Sequence, residues 1–147
     1  METLQRRIGL VGCVKEKDTS PRPARDLYTS ALFRGRRNFV EHSCSEWWIL
    51  SALHGLVDPS EVVAPYDLAL KDLGRAERRN WSRRVLTSID ERAAVQPGDV
   101  IEFHAGAEYR DFGLEAGLMN RGCQIENPTL GMSIGFQLRF YKEATRL

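Results

Sequence analysis

Residues 47–53 read Trp-Trp-Ile-Leu-Ser-Ala-Leu, a nearly continuous apolar run of strand length. A strand with one wet face alternates polar and apolar residues, whereas a strand covered on both faces does not. The run therefore predicts a parallel strand enclosed by helices. Three further segments have β character: Ile8–Val14, Val100–His104 and Cys123–Glu126.

Helical patterns separate them. Asp26–His42 sets Tyr28, Leu32, Phe39 and Val40 on one side and arginines on the other. Leu73–Val95 aligns Leu73, Trp81, Val85 and Ile89. Tyr109–Asn120 stops at Arg121-Gly122, a normal helix end, and Gly131–Thr145 aligns Ile134, Leu138 and Tyr141. The order β-α-β-α-β-α-β-α predicts one domain over residues 1–147. Its architecture is α/β, a three-layer α/β/α sandwich on a mostly parallel sheet of about four or five strands (Rossmann-like). Strand order is not encoded in this pattern.

Composition narrows the class. The chain has 147 residues, 42% hydrophobic and 28% charged, which excludes a disordered or fibrous protein. No run approaches the roughly 20 apolar residues of a membrane helix, so no membrane association is expected. The N-terminal METLQRRIGLVGCV reads as a first strand, with a signal peptide as the alternative. Cys13, Cys44 and Cys123 form no CxxC pair, which predicts free thiols and a reducing, cytoplasmic setting. No recognised ligand spacing implies a metal, and no cofactor is expected.

Ligands of parallel α/β sheets bind beyond the carboxyl ends of the strands, and each expected strand ends in polar residues. The ends are Cys13 to Lys17, Ser51-Ala52-Leu53-His54-Gly55, His104-Ala105-Gly106 and Glu126-Asn127-Pro128-Thr129. His54 and His104 are candidate proton-transfer groups, because histidine titrates near neutral pH. Gly55 and Gly106 leave room for a ligand or a turn. Glu102, two residues before His104, points to the same side of its strand. It is either solvated on an edge strand, or a general base, or a carboxylate that orients His104.

Other candidates lie nearby. In Pro21-Arg22-Pro23-Ala24-Arg25-Asp26-Leu27-Tyr28, Asp26 suits a helix N-cap, and Arg25 with Lys15 suits an anion at that helix start. Cys13 suits a small buried hydrophobe as well as a nucleophile. Residues 71–84 carry six basic and two acidic side chains. Arg75, Arg79 and Arg83 on that helix form either a solvated face or a phosphate-backbone contact.

Ile49-Leu50-Ser51-Ala52-Leu53-His54-Gly55-Leu56-Val57-Asp58-Pro59, followed by Ala64-Pro65-Tyr66-Asp67, resembles the LSGLYGLLRP…PYRLEM stretch of the YaaA family of bacterial peroxide-stress proteins. The opening from Gly12-Cys13 through Lys17 to Pro23–Tyr28 is similar to a smaller relative of that superfamily. The resemblance implies an α/β fold, DNA as partner, a link to oxidative DNA damage, and a site lined by Ser51, His54, Gly55, Pro65 and Tyr66. His54 stands where that family usually has tyrosine.

Together these readings predict a nucleic-acid-directed enzyme that cleaves the N-glycosidic bond of a damaged or modified base, a DNA glycosylase. Such an enzyme needs a pocket for an extruded base and a carboxylate or histidine to activate water. Glu102 and Asp67 are the carboxylate candidates, with His54 and His104 as proton handlers. Tyr66 or Tyr109 would stack on the base, and Lys15, Arg25 and Arg110 would meet phosphate. The alternatives are a transferase or hydrolase of free nucleosides or nucleotides, and a non-catalytic DNA-binding stress protein.

Overall fold

The structure, a computed structural model, describes residues 5–13 and 17–144. In chain order its elements are β1 (Arg7–Gly12), β2 (Arg22–Pro23), α1 (Ala24–Leu27), α2 (Ala31–Ser43), β3 (Glu46–Ser51), β4 (Gly55–Val57) and β5 (Val62–Val63). There follow α3 (Arg75–Ser88), β6 (Val100–His104), α4 (Ala107–Arg110), α5 (Leu114–Asn120), β7 (Gln124–Glu126) and α6 (Ile134–Ala144).

Five strands form one sheet in the order β4-β3-β1-β6-β7. β3, β1, β6 and β7 are parallel, and only β4 is antiparallel, folded back on β3. The protein is thus a mostly parallel, Rossmann-like α/β fold. β1 is the central strand because its residues are apolar on both faces: Ile8, Leu10 and Val11 are all buried. Ile49, Leu50, Ile101 and Phe103 complete the middle of the core, each contributing about 1.5–3 kcal/mol by its burial.

The β1–α2–β3 crossover steps one way across the sheet, and β3–α3–β6 steps back past β1. Right-handed crossovers in opposite directions put their helices on opposite faces. Accordingly α2 packs with α6 in one layer and α3 with α5 in the other. Glycines allow the close approaches. A Cβ on Gly35 would lie 2.8 Å from Cβ of Tyr141, and one on Gly117 would collide with the Leu86 side chain.

Several elements differ from the sequence reading. The helix expected over Asp26–His42 is broken at Tyr28–Ser30, where Ser30 caps α2 by accepting the Phe33 N–H at 3.1 Å. Asp26 is not an N-cap; it lies inside α1 and pairs with Arg37 at 3.2 Å. The buried side of α2 is Phe33, Arg36 and Val40, so its arginines are not all turned outward. Tyr109–Asn120 is two helices, because Gly113 takes φ +119° between them. α3 passes into a π-helical turn over Ile89–Ala93 and ends at the left-handed Ala94. Val14 and Thr145, the expected ends of the first strand and last helix, lie outside the described residues. Among the described residues, no helix is long and apolar enough to cross a membrane.

Candidate functional site

Because the chain leaves β1 toward β3 on one side and leaves β6 toward β7 on the other, a crevice opens at the carboxyl ends of β1 and β6. Cys13, just past β1, lies there beside phenols from three different segments. Its Sγ is 3.5 Å from the Tyr66 hydroxyl and 3.3 Å from that of Tyr109. The Tyr66 hydroxyl also shares hydrogen bonds with Tyr28 at 2.6 Å and with Ser51 Oγ at 2.7 Å. Tyr109 donates to the Cys13 carbonyl at 3.3 Å. Lys17 Nζ sits 4.5 Å from the centre of the Tyr66 ring, within cation–π range. The His54 ring meets Tyr66 edge-on, with centroids 5.3 Å apart.

Tyr66 therefore joins the ends of β1 and β3 in one polar cluster. Burial pushes the phenols of Tyr28, Tyr66 and Tyr109 well above the ordinary tyrosine range, and a thiolate at Cys13 would repel phenolate further. All three stay neutral at physiological pH. They can direct hydrogen bonds but cannot act as bases there.

Beside the cluster lies a cleft of about 320 Å³, lined by Cys13, Lys17, Asp67, Leu68, Ala69, Lys71, Asp72 and Tyr109. That volume suits a small-molecule fragment such as a base with part of its sugar. Asp67 supplies a carboxylate at this cleft and is exposed. Among the described residues, it makes no ion pair.

Two expected members of the rim are elsewhere. β6 is not an edge strand, since β7 pairs on its outer side, and Glu102 is 2% exposed rather than solvated. Glu102 does orient His104, accepting from its Nε2 at 2.6 Å; it also accepts from Arg7 at 2.9 Å and Ser43 at 3.0 Å. His104 Nδ1 lies 2.6 Å from the Tyr141 hydroxyl, and the ring is fully buried. Strand alternation explains the placement. Glu102 and His104 are in register with Gly9 and Val11, and the Gly9 position abuts Val40 of α2. Both side chains thus enter the α2/α6 layer, and neither lines the cleft.

Other expected residues scatter. His54 is exposed at the outer side of Tyr66, and its backbone N–H donates to Ser51 Oγ at 3.0 Å. Gly55, at φ +72°, makes the β3–β4 turn. Arg25 is exposed beside Asp26, 3.8 Å away, and does not line the cleft. Gly106 and Arg110 line a different cavity, beyond β6. Lys15 lies outside the described residues. Arg75, Arg79 and Arg83 are exposed on α3. Arg78 ties that helix to the cleft, donating to the Leu70 and Lys71 carbonyls at 3.1 and 2.6 Å.

Tyr28, Lys17, Lys71 and Asp72 were not singled out by sequence. Tyr28 reads as a helix-face residue, and Lys17 as one of several charges after the first strand. Only tertiary folding brings Tyr28 and Lys17 to Tyr66, and Lys71 and Asp72 to the cleft. Among the described residues, no three His, Cys, Asp or Glu side chains converge as metal ligands.

Comparison with known proteins finds no match among curated proteins and none among solved structures. A family model does match, over residues 8–143 and hence nearly the whole chain. The chain belongs to DUF6884, a family of unknown function.

Proposed function

We propose that this protein is an enzyme that cleaves an N-glycosidic bond of a damaged or modified base in nucleic acid. The observation that carries the reading is the cleft at the carboxyl ends of β1 and β6, where the Asp67 carboxylate shares one lining with Lys17, Cys13 and the Tyr109 phenol. Glycosidic cleavage puts positive charge on the sugar, and a nearby carboxylate both offsets that charge and takes a proton from attacking water. The water oxygen bonds to the anomeric carbon, and its proton passes to Asp67. The bonding pair of the broken C–N bond leaves with the base, which is protonated by Lys17, a residue of the cleft lining. Of the two tyrosines, Tyr109 lines the cleft and would contact the base, while Tyr66 supports the wall through Cys13.

The arginine face of α3 supports a polynucleotide substrate, because it begins at the edge of this cleft through the Arg78 contacts to Leu70 and Lys71. The YaaA-like motif around Ser51 and Tyr66 supports the same partner. Free thiols at Cys13, Cys44 and Cys123 fit a cytoplasmic setting. A second reading, action on free nucleotides, is favoured by the small volume of the cleft, about 320 Å³.

The test is release of free base from oligonucleotides carrying oxidised or hydroxymethylated pyrimidines, with nucleoside monophosphates assayed in parallel. The expected result is base release from the oligonucleotide. Release only from the monophosphates favours the second reading. DNA binding with no release from either substrate replaces both by a non-catalytic binding protein.

A further inference from the structure

Beyond the cleft, a smaller cavity of about 190 Å³ opens at the carboxyl ends of β6 and β7. Arg36 and Arg110 both line it, with Gly106, Thr129 and Gln137, and none of its described lining residues is acidic. Arg36 is the unusual member. It reaches up from α2 and is only 7% exposed. Its Nη1 donates to the Gly12 carbonyl at 3.3 Å and its Nη2 to Gln137 Oε1 at 3.2 Å. Among the described residues, its buried Nε has no hydrogen-bond partner, and no carboxylate lies within ion-pair distance.

The partners of Arg36 are therefore neutral. Gln137 is itself fixed, donating to the Met132 carbonyl at 3.0 Å, so it holds the guanidinium in place without balancing its charge. The nearby Tyr141 phenol is pushed upward by burial and stays neutral as well. Arg110, with a side chain 13% exposed, donates to the Ala105 carbonyl at 3.1 Å and, among the described residues, pairs only with the exposed Asp111, 3.6 Å away. The other deeply buried charges differ: Asp99 meets Arg6 and Glu102 meets Arg7, each at 2.9 Å. An uncompensated buried cation is costly, and planar guanidinium groups match the oxygens of a phosphate.

We propose that this cavity is an oxyanion subsite that takes a terminal phosphate group, with Arg36 and Arg110 as its two cationic walls. The small volume favours a phosphomonoester or inorganic phosphate over an internal phosphodiester, which must carry a sugar on both sides. The assignment does not depend on the glycosidic reaction proposed above.

Thermal unfolding of the full chain tests it, at constant ionic strength set with potassium chloride. The probes are inorganic phosphate, a nucleoside 5′-monophosphate, the matching nucleoside, and an oligonucleotide with and without a 5′-phosphate. Phosphate, the monophosphate and the 5′-phosphorylated oligonucleotide should each give a saturable rise in Tm, and the nucleoside none. Arg110→Gln should raise the half-saturating phosphate concentration by about tenfold or more. Arg36→Gln should abolish the response; should that variant fail to fold, the Arg110→Gln titration decides alone. A phosphate response no larger than that of chloride overturns the subsite, and so does an equal response in Arg110→Gln. An equal rise with the unphosphorylated oligonucleotide overturns the terminal-phosphate assignment.

Discussion

His104 Nε2 lies 2.6 Å from Glu102 Oε1, two residues along the same strand, with both side chains closed off from solvent. Burial lowers the pKa of His104 despite the adjacent carboxylate. Burial alone would raise that of Glu102, but donation from His104, Arg7 and Ser43 reverses the sign and holds it below the usual carboxylate range. The pair is thus a neutral imidazole donating from Nε2 to a carboxylate, with Nδ1 accepting from Tyr141. The charge of Glu102 is met by Arg7. This is an arrangement for joining β6 to α6, not for moving protons into the cleft.

Stability should fall with acid in two stages. For a histidine with a depressed folded pKa, the unfolded chain takes up the proton first. Its contribution is therefore complete above the ordinary value of 6.5 and is lost as pH falls below it toward the lower folded pKa. Glu102 contributes above its ordinary 4.5, and that contribution is lost as pH falls through its depressed folded pKa. Urea midpoints from pH 8 to 4 should show a plateau, then a decline beginning near pH 6.5. His104→Gln should remove the decline between 6.5 and 4.5 while lowering the plateau.

Glu102→Gln places one acceptor oxygen and an NH₂ against three donors, those of His104, Arg7 and Ser43. At least one donor then goes unmet. The expected loss is about 1–3 kcal/mol in urea unfolding. Activity per folded molecule should be unchanged, since neither side chain lines the cleft.

Tyr66→Phe removes the hydroxyl that Tyr28, Ser51 and Cys13 share. Ser51 keeps the backbone N–H of His54 as partner, and the Tyr28 phenol loses its 2.6 Å hydrogen bond. A loss of about 1–3 kcal/mol in unfolding free energy is expected, with a rise in KM because Cys13, which lines the cleft, loses its contact with the Tyr66 hydroxyl.

Asp67→Asn tests the proposed chemistry without disturbing the fold. Asp67 is exposed and makes no ion pair among the described residues, so Tm should stay within about 1–2 °C, the usual range for a neutral surface change. A carboxylate acting as general base contributes about 10²–10⁴-fold, and kcat for base release should fall by that factor. An unchanged kcat removes Asp67 from the mechanism.

Replacing Arg79 and Arg83 by Gln tests the basic face of α3. If each meets a phosphate, the slope of log Kd against log salt should shrink by roughly one unit per contact. Binding that is unchanged at all salt concentrations makes these arginines a solvated face.

The sequence displayed the parallel sheet because its strands are short apolar runs closed by charge or glycine. Val100–His104 appears with the expected ends. It concealed β4 and the two-residue β2–β5 ribbon, which are too short to show periodicity. At the site, the strand-end rule located Cys13 and Ser51, and the Ala64–Asp67 motif located Tyr66 and Asp67. Alternation along β6 put Glu102 and His104 on one side but gave no indication of what covered that side. Arg36 was hidden for the same reason: arginine on a helix reads as solvent-facing unless the neighbouring helix is known.

The place of β1 at the middle of the sheet has a consequence for how the chain acquires its shape. This strand precedes the others in sequence, yet one of its edges waits for β6, where Arg7 is in register with Val100. Pairing across so long a separation requires closing a large loop before any contact rewards it. On the ribosome β1 can dock with β3 early, but its other edge stays open until β6 has emerged. Folding should be slow for a domain of this size, and nascent chains ending before Val100 should be the ones that aggregate or require a chaperone.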